Sequence, residues 1–375
     1  MAPHADNFFT LIEARSDIDG RFINLRRAGE GHFCLVFSAT DKTSNSEVAV
    51  KVFHIAFLND TYRLQCFRRE SEILERLKDN DHILDWIAPV RDFTVTLVEP
   101  TTNIPIDLRF PYFALELAVG DVGQVIRSGS WKPEQTLLAF REMCKAVQRI
   151  HRESVCHRDI KPSNFVVMKD GGLKLSDFGT ARDFKGSEPP ILSNYPWPPG
   201  DVRYTSPEML AVIHDVQPSI AFLGDFYSLG ATLFEMCTGL VLGIQIFDAA
   251  FMADLAKSMN AVDRSRRLHT YLGFVRNLAG AHPLPSIAAF GHGLPLCVAT
   301  LVDDLYQSMV ALDFRDRLCD FERIFLRIER CLLVLRNDEK IRRWRERREI
   351  FKRNREEKYR RAEARMLSLR TGVLR

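Results

Sequence analysis

The chain has 375 residues, 46% of them hydrophobic and 27% charged, with a formal net charge of +3. This composition supports a sizeable core and roughly two or three structural units, and it excludes global disorder. Glycine (20) and proline (17) are too few for a fibrous or low-complexity chain.

The charge is unevenly placed. Residues 336–375 hold 16 Lys/Arg against 7 Asp/Glu, a net of +9, while residues 1–335 hold 36 against 42, a net of −6. An acidic body and a basic tail therefore call for separate readings. The N-terminal stretch MAPHADNFFTLIEARSD has neither a basic n-region nor an apolar h-region, so residues 1–22 read as a lead-in and not as a secretory signal.

From Ile23 to about Leu117 strand patterns dominate. Phe33–Ser38 and Glu47–Phe53 are rich in Val and Phe and are separated by a polar turn at 40–46. Tyr62–Leu77 changes to helical spacing, with Phe67, Ile73, Leu74 and Leu77 amid Arg and Glu. Strand patterns return at Leu84–Thr96 and Tyr112–Leu117, with Glu99–Pro111 read as the loop between them. After Pro133 the pattern is mainly helical, beginning with Glu134–Glu153. A short strand pair, Phe165–Met168 and Leu173–Leu175, turns at Asp170-Gly171-Gly172. Residues 186–207 are proline-rich and loop-like, and helical segments run on to about Leu335.

Two apolar stretches, Leu229–Met252 and 283–302, are interrupted by charge or proline, so no membrane span is expected. Eight cysteines, at 34, 66, 144, 156, 237, 297, 319 and 331, form no CxxC pair and no zinc spacing. They fit a reducing compartment, and the expected location is cytoplasmic.

Several short segments carry chemistry. Ala28-Gly29-Glu30-Gly31-His32-Phe33-Cys34-Leu35-Val36 is a glycine-rich turn between two strands. Such backbone can approach phosphate oxygens closely, although a plain hairpin reads the same way. Lys51 ends the strand Val48-Ala49-Val50-Lys51, and Glu70 lies on the following helix. Each alone is an ordinary surface charge; together they can form an ion pair that fixes an ammonium against phosphates. His157-Arg158-Asp159-Ile160-Lys161-Pro162-Ser163-Asn164 is the most specific segment, followed 18 residues after Asp159 by Asp177-Phe178-Gly179 and later by Ser206-Pro207-Glu208.

In this order and spacing, residues from about 23 to 332 resemble a eukaryotic-type (Hanks-type) serine/threonine protein kinase domain. The resemblance implies an α+β, two-lobed fold, with a small β-sheet lobe carrying one helix (23–117) and a larger mainly helical lobe (118–332); the proline-free charged stretch 333–375 reads as a helical tail. The resemblance also implies ATP with Mg2+ or Mn2+ as cofactors and a protein as substrate. Asp159 would orient the attacking hydroxyl, Lys161 would reach the moving phosphoryl group, and Asn164 and Asp177 would hold metal. Residues 28–34 would cover the phosphates, and Lys51 paired with Glu70 would clamp them. Val36, Ala49 and Val166 would enclose adenine, with Leu115 as gatekeeper and the backbone of Glu116–Ala118 on the base edge. Leu74, His157 and Phe178 would stack between lobes, Asp225 would anchor the catalytic loop, and Glu208 would pair with Arg317.

Two positions depart from the family pattern. Cys34 replaces the last loop glycine, and Asp201 stands where serine/threonine members usually have threonine. A carboxylate there can accept a hydrogen bond from Lys161, but it also brings like charge near Asp159. Arg158 resembles the arginine that senses phosphate on the 180–205 segment, where Ser187, Ser193 and Thr205 are the candidate acceptors.

The proline-free tail carries a short stripe at Tyr359, Ala362, Met366 and Leu369, and a sparser one at Ile341, Trp344 and Phe351. Three readings fit it: a solvated helix packed on its own domain, coiled-coil self-association, or contact with a polyanion. For the whole chain, an active kinase is weighed against a nucleotide-binding pseudokinase scaffold and a small-molecule kinase of similar fold.

Overall fold

The computed structural model describes residues 5–31, 33–98, 103–186, 200–213, 219–278, 284–290 and 293–372. The smaller lobe comprises α1 (Ala5–Glu13), β1 (Asp17–Ile18), β2 (Phe22–Glu30), β3 (Cys34–Asp41), β4 (Ser46–Phe53), α2 (Thr61–Arg76), β5 (Trp86–Val98) and β6 (Pro105–Glu116). Its strands form one antiparallel sheet in the order β1-β2-β3-β4-β6-β5.

Alternation along β4 gives the sheet its two faces. Val48, Val50 and Val52 join Phe37, Phe110 and Tyr112 in one core, while Ala49 and Phe53 join the core shared with α2 and the larger lobe. Lys51 lies between them in register on that second face, toward the cleft.

Helix α1 corrects the expectation of one helix in the smaller lobe, which carries two, α1 and α2. Phe8, Phe9 and Ile12 are buried in the valine core, with the Phe9 and Phe37 rings 5.2 Å apart and those of Phe8 and Phe110 4.8 Å apart. The Glu13 carboxylate accepts the Arg27 N–H at 2.6 Å, which ties the helix to β2. The sheet's outer face is thus covered by the chain's own N-terminal segment.

The 99–111 loop is also shorter than expected. β6 pairs with β4 only from Tyr112 to Glu116, while its pairing with β5 runs on to Pro105. Pro111 falls where the third strand has ended, so its missing N–H breaks no ladder on that side.

The larger lobe contains β7 (Gly120–Asp121), α3 (Val122–Ser128), α4 (Pro133–Arg152), β8 (Val155–Cys156), β9 (Phe165–Val167), β10 (Leu173–Leu175), β11 (Arg182–Asp183), α5 (Pro207–Leu210), α6 (Ile220–Thr238), α7 (Leu242–Ile246), α8 (Ala249–Asn260), α9 (Arg267–Leu278), α10 (Ile287–Phe290), α11 (Leu296–Met309) and α12 (Phe321–Gly372). Helix α4 starts at Pro133, where a missing N–H costs nothing, and buries a stripe from Leu137 through Phe140, Met143 and Val147 to Ile150. Helix α6 is apolar nearly all round. It is the one described helix long and apolar enough to cross a membrane, and 78% of that window is buried in the lobe. Gly239, at φ 72°, stops it.

Helix α12 begins in the core with Ile324, Ile328, Cys331 and Leu332. Arg141–Glu329 and Arg336–Glu134 ion pairs dock it on α4. Further along, Ile350 and Phe351 are exposed. The side chains of Ile341, Trp344, Tyr359, Ala362, Met366 and Leu369 lie outside those described.

Candidate active site

Between the lobes lies a cleft of ≈ 1480 Å³. Its smaller-lobe wall is built by two elements with different periods. Strand β4 presents Lys51 on its cleft face. Helix α2, capped by the Asp60 side chain accepting the Arg63 N–H at 3.0 Å, buries Cys66, Phe67, Glu70, Ile73 and Leu74 at helical spacing. The two meet at a single buried contact: Lys51 Nζ donates to Glu70 Oε1 at 2.8 Å and Oε2 at 2.7 Å, and reaches Asp177 Oδ1 at 3.4 Å. Burial works against the Lys51 charge, yet the facing carboxylates of Glu70 and Asp177 hold its proton affinity above the ordinary lysine value.

The floor is set by one buried carboxylate. Asp225, on α6, accepts the backbone N–H groups of His157 and Arg158, both at 2.8 Å, and pairs with His151 Nε2 at 2.9 Å. This fixes a loop in which Arg158 has φ 65°, a left-handed value. The loop then presents Asp159. Lys161 Nζ donates to Asp159 Oδ2 at 2.7 Å, and Asn164 Nδ2 donates to Asp159 O at 2.7 Å and Oδ2 at 3.1 Å. Burial raises the Asp159 carboxyl above its usual range, with Lys161 pulling the other way.

Asp177, also left-handed at φ 62°, turns its half-buried carboxylate toward the cleft. Burial would raise its pKa, but Lys51 and then Lys161 outweigh that and hold it below the carboxylate value. The His157 and Phe178 rings sit 5.0 Å apart, and Leu74 lies in the same core. Val36, Ala49, Leu84, Leu115 and Val166 line the apolar end beside the connecting strand. The Glu116 N–H is spent on Asp85 O at 2.9 Å.

These residues fit a nucleotide and a hard cation. The Asn164 amide nitrogen is occupied by Asp159, which leaves its oxygen for a metal, and the Asp177 carboxylate adds a second oxygen of the kind magnesium prefers. At the tip of the glycine turn, a Cβ on Gly31 would meet Cys34 Sγ at 2.6 Å, so a larger residue there would have to displace the thiol. The thiol beneath it is buried, and that burial pushes it up to about 12, which disfavours the thiolate. Ala28, Gly29, Glu30 and Phe33 line the cleft as well, whereas His32 lies outside the described residues.

The substrate side is held differently. Glu208 and Arg317 form a fully buried two-point pair, at 2.5 and 3.0 Å. Gly200 has φ 88°, and a Cβ there would sit 2.3 Å from Arg158 O, so only glycine allows this approach to the loop that carries Asp159. The approach lets the Asp201 N–H donate to Asp159 Oδ1 at 2.8 Å. The Asp201 carboxylate does not bond Lys161, contrary to the sequence expectation. It accepts from Arg203, and Lys161 is committed to Asp159. Thr205 is also engaged, its Oγ1 donating to Asp201 O at 2.8 Å, while Ser187 and Ser193 lie outside the described residues.

Sequence reasoning missed Arg203 and two arginines beside Arg158. Arg158 donates to Thr180 O at 2.7 Å, Arg69 donates to Gly179 O at 2.6 Å, and Arg182 stands near. Arg69 Nε is buried with no partner among the described residues. Burial, aided by Arg69 and Arg182, lowers the Arg158 guanidinium to about 10. Arg69 directly precedes Glu70, so helix spacing was the available signal.

The protein kinase domain family matches residues 22–319, and the chain belongs to that family. That family uses ATP and a divalent cation. Among curated relatives, a probable serine/threonine-protein kinase PknB of Corynebacterium glutamicum is 30% identical over 213 residues, covering 56% of this chain and 30% of that protein. Serine/threonine-protein kinase PrkC of Bacillus subtilis is 26% identical over 226 residues, covering 60% and 31%. Mitogen-activated protein kinase 15 of Caenorhabditis elegans is 29% identical over 248 residues, covering 63% and 46%. The chain therefore spans less than half the length of each of these relatives.

Proposed function

We propose that this chain transfers the γ-phosphoryl group of ATP to serine or threonine hydroxyls of protein substrates. The observation that carries the reading is the single constellation of Lys51 and Glu70 on the smaller lobe and Asp159, Lys161, Asn164 and Asp177 on the larger, with Lys51 reaching Asp177 across the cleft. Phosphoryl transfer needs alignment and charge neutralisation more than covalent chemistry, and this set supplies both.

ATP supplies the phosphoryl group, and Mg2+ or Mn2+ supplies charge neutralisation on its oxygens. Residues 28–34 and Lys51 hold the phosphates, and the backbone of Glu116–Ala118, apart from the committed Glu116 N–H, faces the adenine edge. Asp177 and the Asn164 oxygen are the metal ligands. Asp159 orients the substrate hydroxyl and receives its proton, while Lys161 offsets charge beside it. Lys161 is the feature that favours serine/threonine over tyrosine substrates. The buried Glu208–Arg317 pair supports a substrate loop of the kind used for proteins.

The working division is a smaller lobe at 23–117, a larger lobe at 118–332 and a basic helical tail at 333–375, which continues α12 from the core. Eight unpaired cysteines support a reducing, cytoplasmic setting. A pseudokinase scaffold rests on Asp201 alone and is not favoured, since Lys51, Glu70, Asp159, Asn164 and Asp177 are all present. The test is incubation with labelled ATP, Mg2+ or Mn2+ and a peptide panel, followed by phosphoamino-acid analysis. Label on serine and threonine is expected; label on tyrosine alone, or none on any peptide, would overturn the reading.

A further inference from the structure

Asp201 places a second carboxylate beside the Asp159–Lys161 pair, where the resemblance expects a neutral hydroxyl. Its backbone N–H donates to Asp159 Oδ1, so the residue cannot move away without losing that bond. Unbalanced, its charge would compete for Lys161 and repel an incoming phosphoryl group.

The structure shows where the charge goes. Arg203 Nε lies 2.9 Å from Asp201 Oδ1 and 3.2 Å from Oδ2, and its Nη2 lies 2.6 Å from Oδ2. The Arg203 backbone N–H adds a fourth contact to Oδ1 at 3.1 Å. The fork and the turn together hold the carboxylate on Arg203. Burial tends to raise the Asp201 pKa, but the Arg203 contacts outweigh it and hold the carboxyl below its ordinary value. The same turn has further ties: the Tyr204 and Thr205 N–H groups and Thr205 Oγ1 all donate to Asp201 O.

We propose that Arg203 is a positioning residue for phosphoryl transfer: it takes up the Asp201 charge, so that Lys161 serves Asp159 alone, and fixes the turn that offers the Asp201 N–H to Asp159. The pair Asp201–Arg203 thereby does with two charged side chains what the family does with one hydroxyl. This inference rests on the proposed phosphotransfer.

The test measures kcat and KM, for ATP and for a peptide, in the full chain and its variants. Arg203→Met leaves the Asp201 charge unmatched, and kcat should fall about tenfold to a hundredfold with both KM values within about twofold. Adding Asp201→Asn to Arg203→Met removes the stray charge while an amide oxygen still accepts the turn N–H. That double variant should recover kcat to within about threefold of wild type. A purely structural loss would show no such rescue. An unchanged kcat in Arg203→Met, a raised peptide KM at full kcat, or no rescue in the double variant would each overturn the proposal. If Arg203→Met does not fold, Arg203→Gln and Arg203→Gln with Asp201→Asn carry the test: the first should lower kcat and the second should recover it, and an unchanged kcat in the first or no recovery in the second would overturn it. Turnover in wild type with Arg203→Met unaffected would sink this inference and leave the kinase reading standing. A wild type without turnover would sink both.

Discussion

The two sides of the cleft are built to different standards of rigidity. On the nucleotide side, Lys51 and Glu70 sit on a central strand and a packed helix, at 8% and 1% exposure, and their ion pair is enclosed by the core. On the substrate side, Asp201 and Arg203 sit on a loop, and the Arg203 side chain is 53% exposed. Elements with regular periods deliver side chains to fixed places; the loop needs a chain of local contacts to do the same. The difference implies that damage on the nucleotide side abolishes chemistry, while damage on the substrate side detunes it.

The largest effect should come from removing a group proposed to face metal or phosphate. Asp177→Ala and Lys51→Met should each lower turnover by ~10²–10³ or more while the far-UV circular dichroism stays that of wild type. A folded variant of either kind with near wild-type turnover would break the comparison at its stronger end.

A loop-side modification should act more gently. Arg69, Arg158 and Arg182 gather around carbonyls 179–181, and one buried guanidinium nitrogen there has no partner among the described residues. Autophosphorylation within 180–205 should raise activity by giving these cations an anion to hold. Mass spectrometry of the fully active enzyme should find that phosphate; full activity with an unmodified segment would remove the idea. Thr205 is the weakest acceptor, because its hydroxyl is buried and already donating to Asp201 O.

Away from the cleft, the comparison becomes one of stability. Phe9 is 2% exposed and packs on Phe37, so Phe9→Ala should cost about 3–5 kcal/mol, read from the denaturant midpoint at constant slope. A cost below 1 kcal/mol would mean that α1 does not belong to the fold.

The smallest effect is set by pH. Arg21 beside Asp41 holds that carboxyl down at about 2, below its ordinary 3.8. A depressed folded-state value contributes stability that is fully present above 3.8 and lost as pH falls toward 2. The penalty of Asp41→Asn should therefore be visible at pH 5 and shrink toward pH 2. A penalty independent of pH would show that the Asp41 charge is not what matters.

The same contrast explains what was legible in the sequence. Lys51, Glu70, Asp159, Asn164 and Asp177 could be named because the segments that carry them resemble, in order and spacing, those of the protein kinase family, while each residue alone reads as an ordinary charge. The partner of Asp201 could not be named. A carboxylate on a loop selects among Lys161, Arg203 and backbone by turn geometry, and only the left-handed Gly200 makes that geometry. Helix α1 was missed because its apolar residues, Phe8, Phe9 and Ile12, are too few to stand out until the sheet that buries them is in view. β6 was cut short because Pro111 reads as a loop residue, whereas the third strand's end makes it harmless there.

The most direct test of the account is transfer of the labelled γ-phosphate to a serine- or threonine-containing protein or peptide by the purified chain, run beside Asp159→Asn. This variant keeps the size of the Asp159 side chain but removes its charge and its capacity to take a proton. The account predicts steady transfer by wild type and a loss of at least about a hundredfold in Asp159→Asn, with nucleotide binding retained in both. Equal transfer by the two proteins would contradict it.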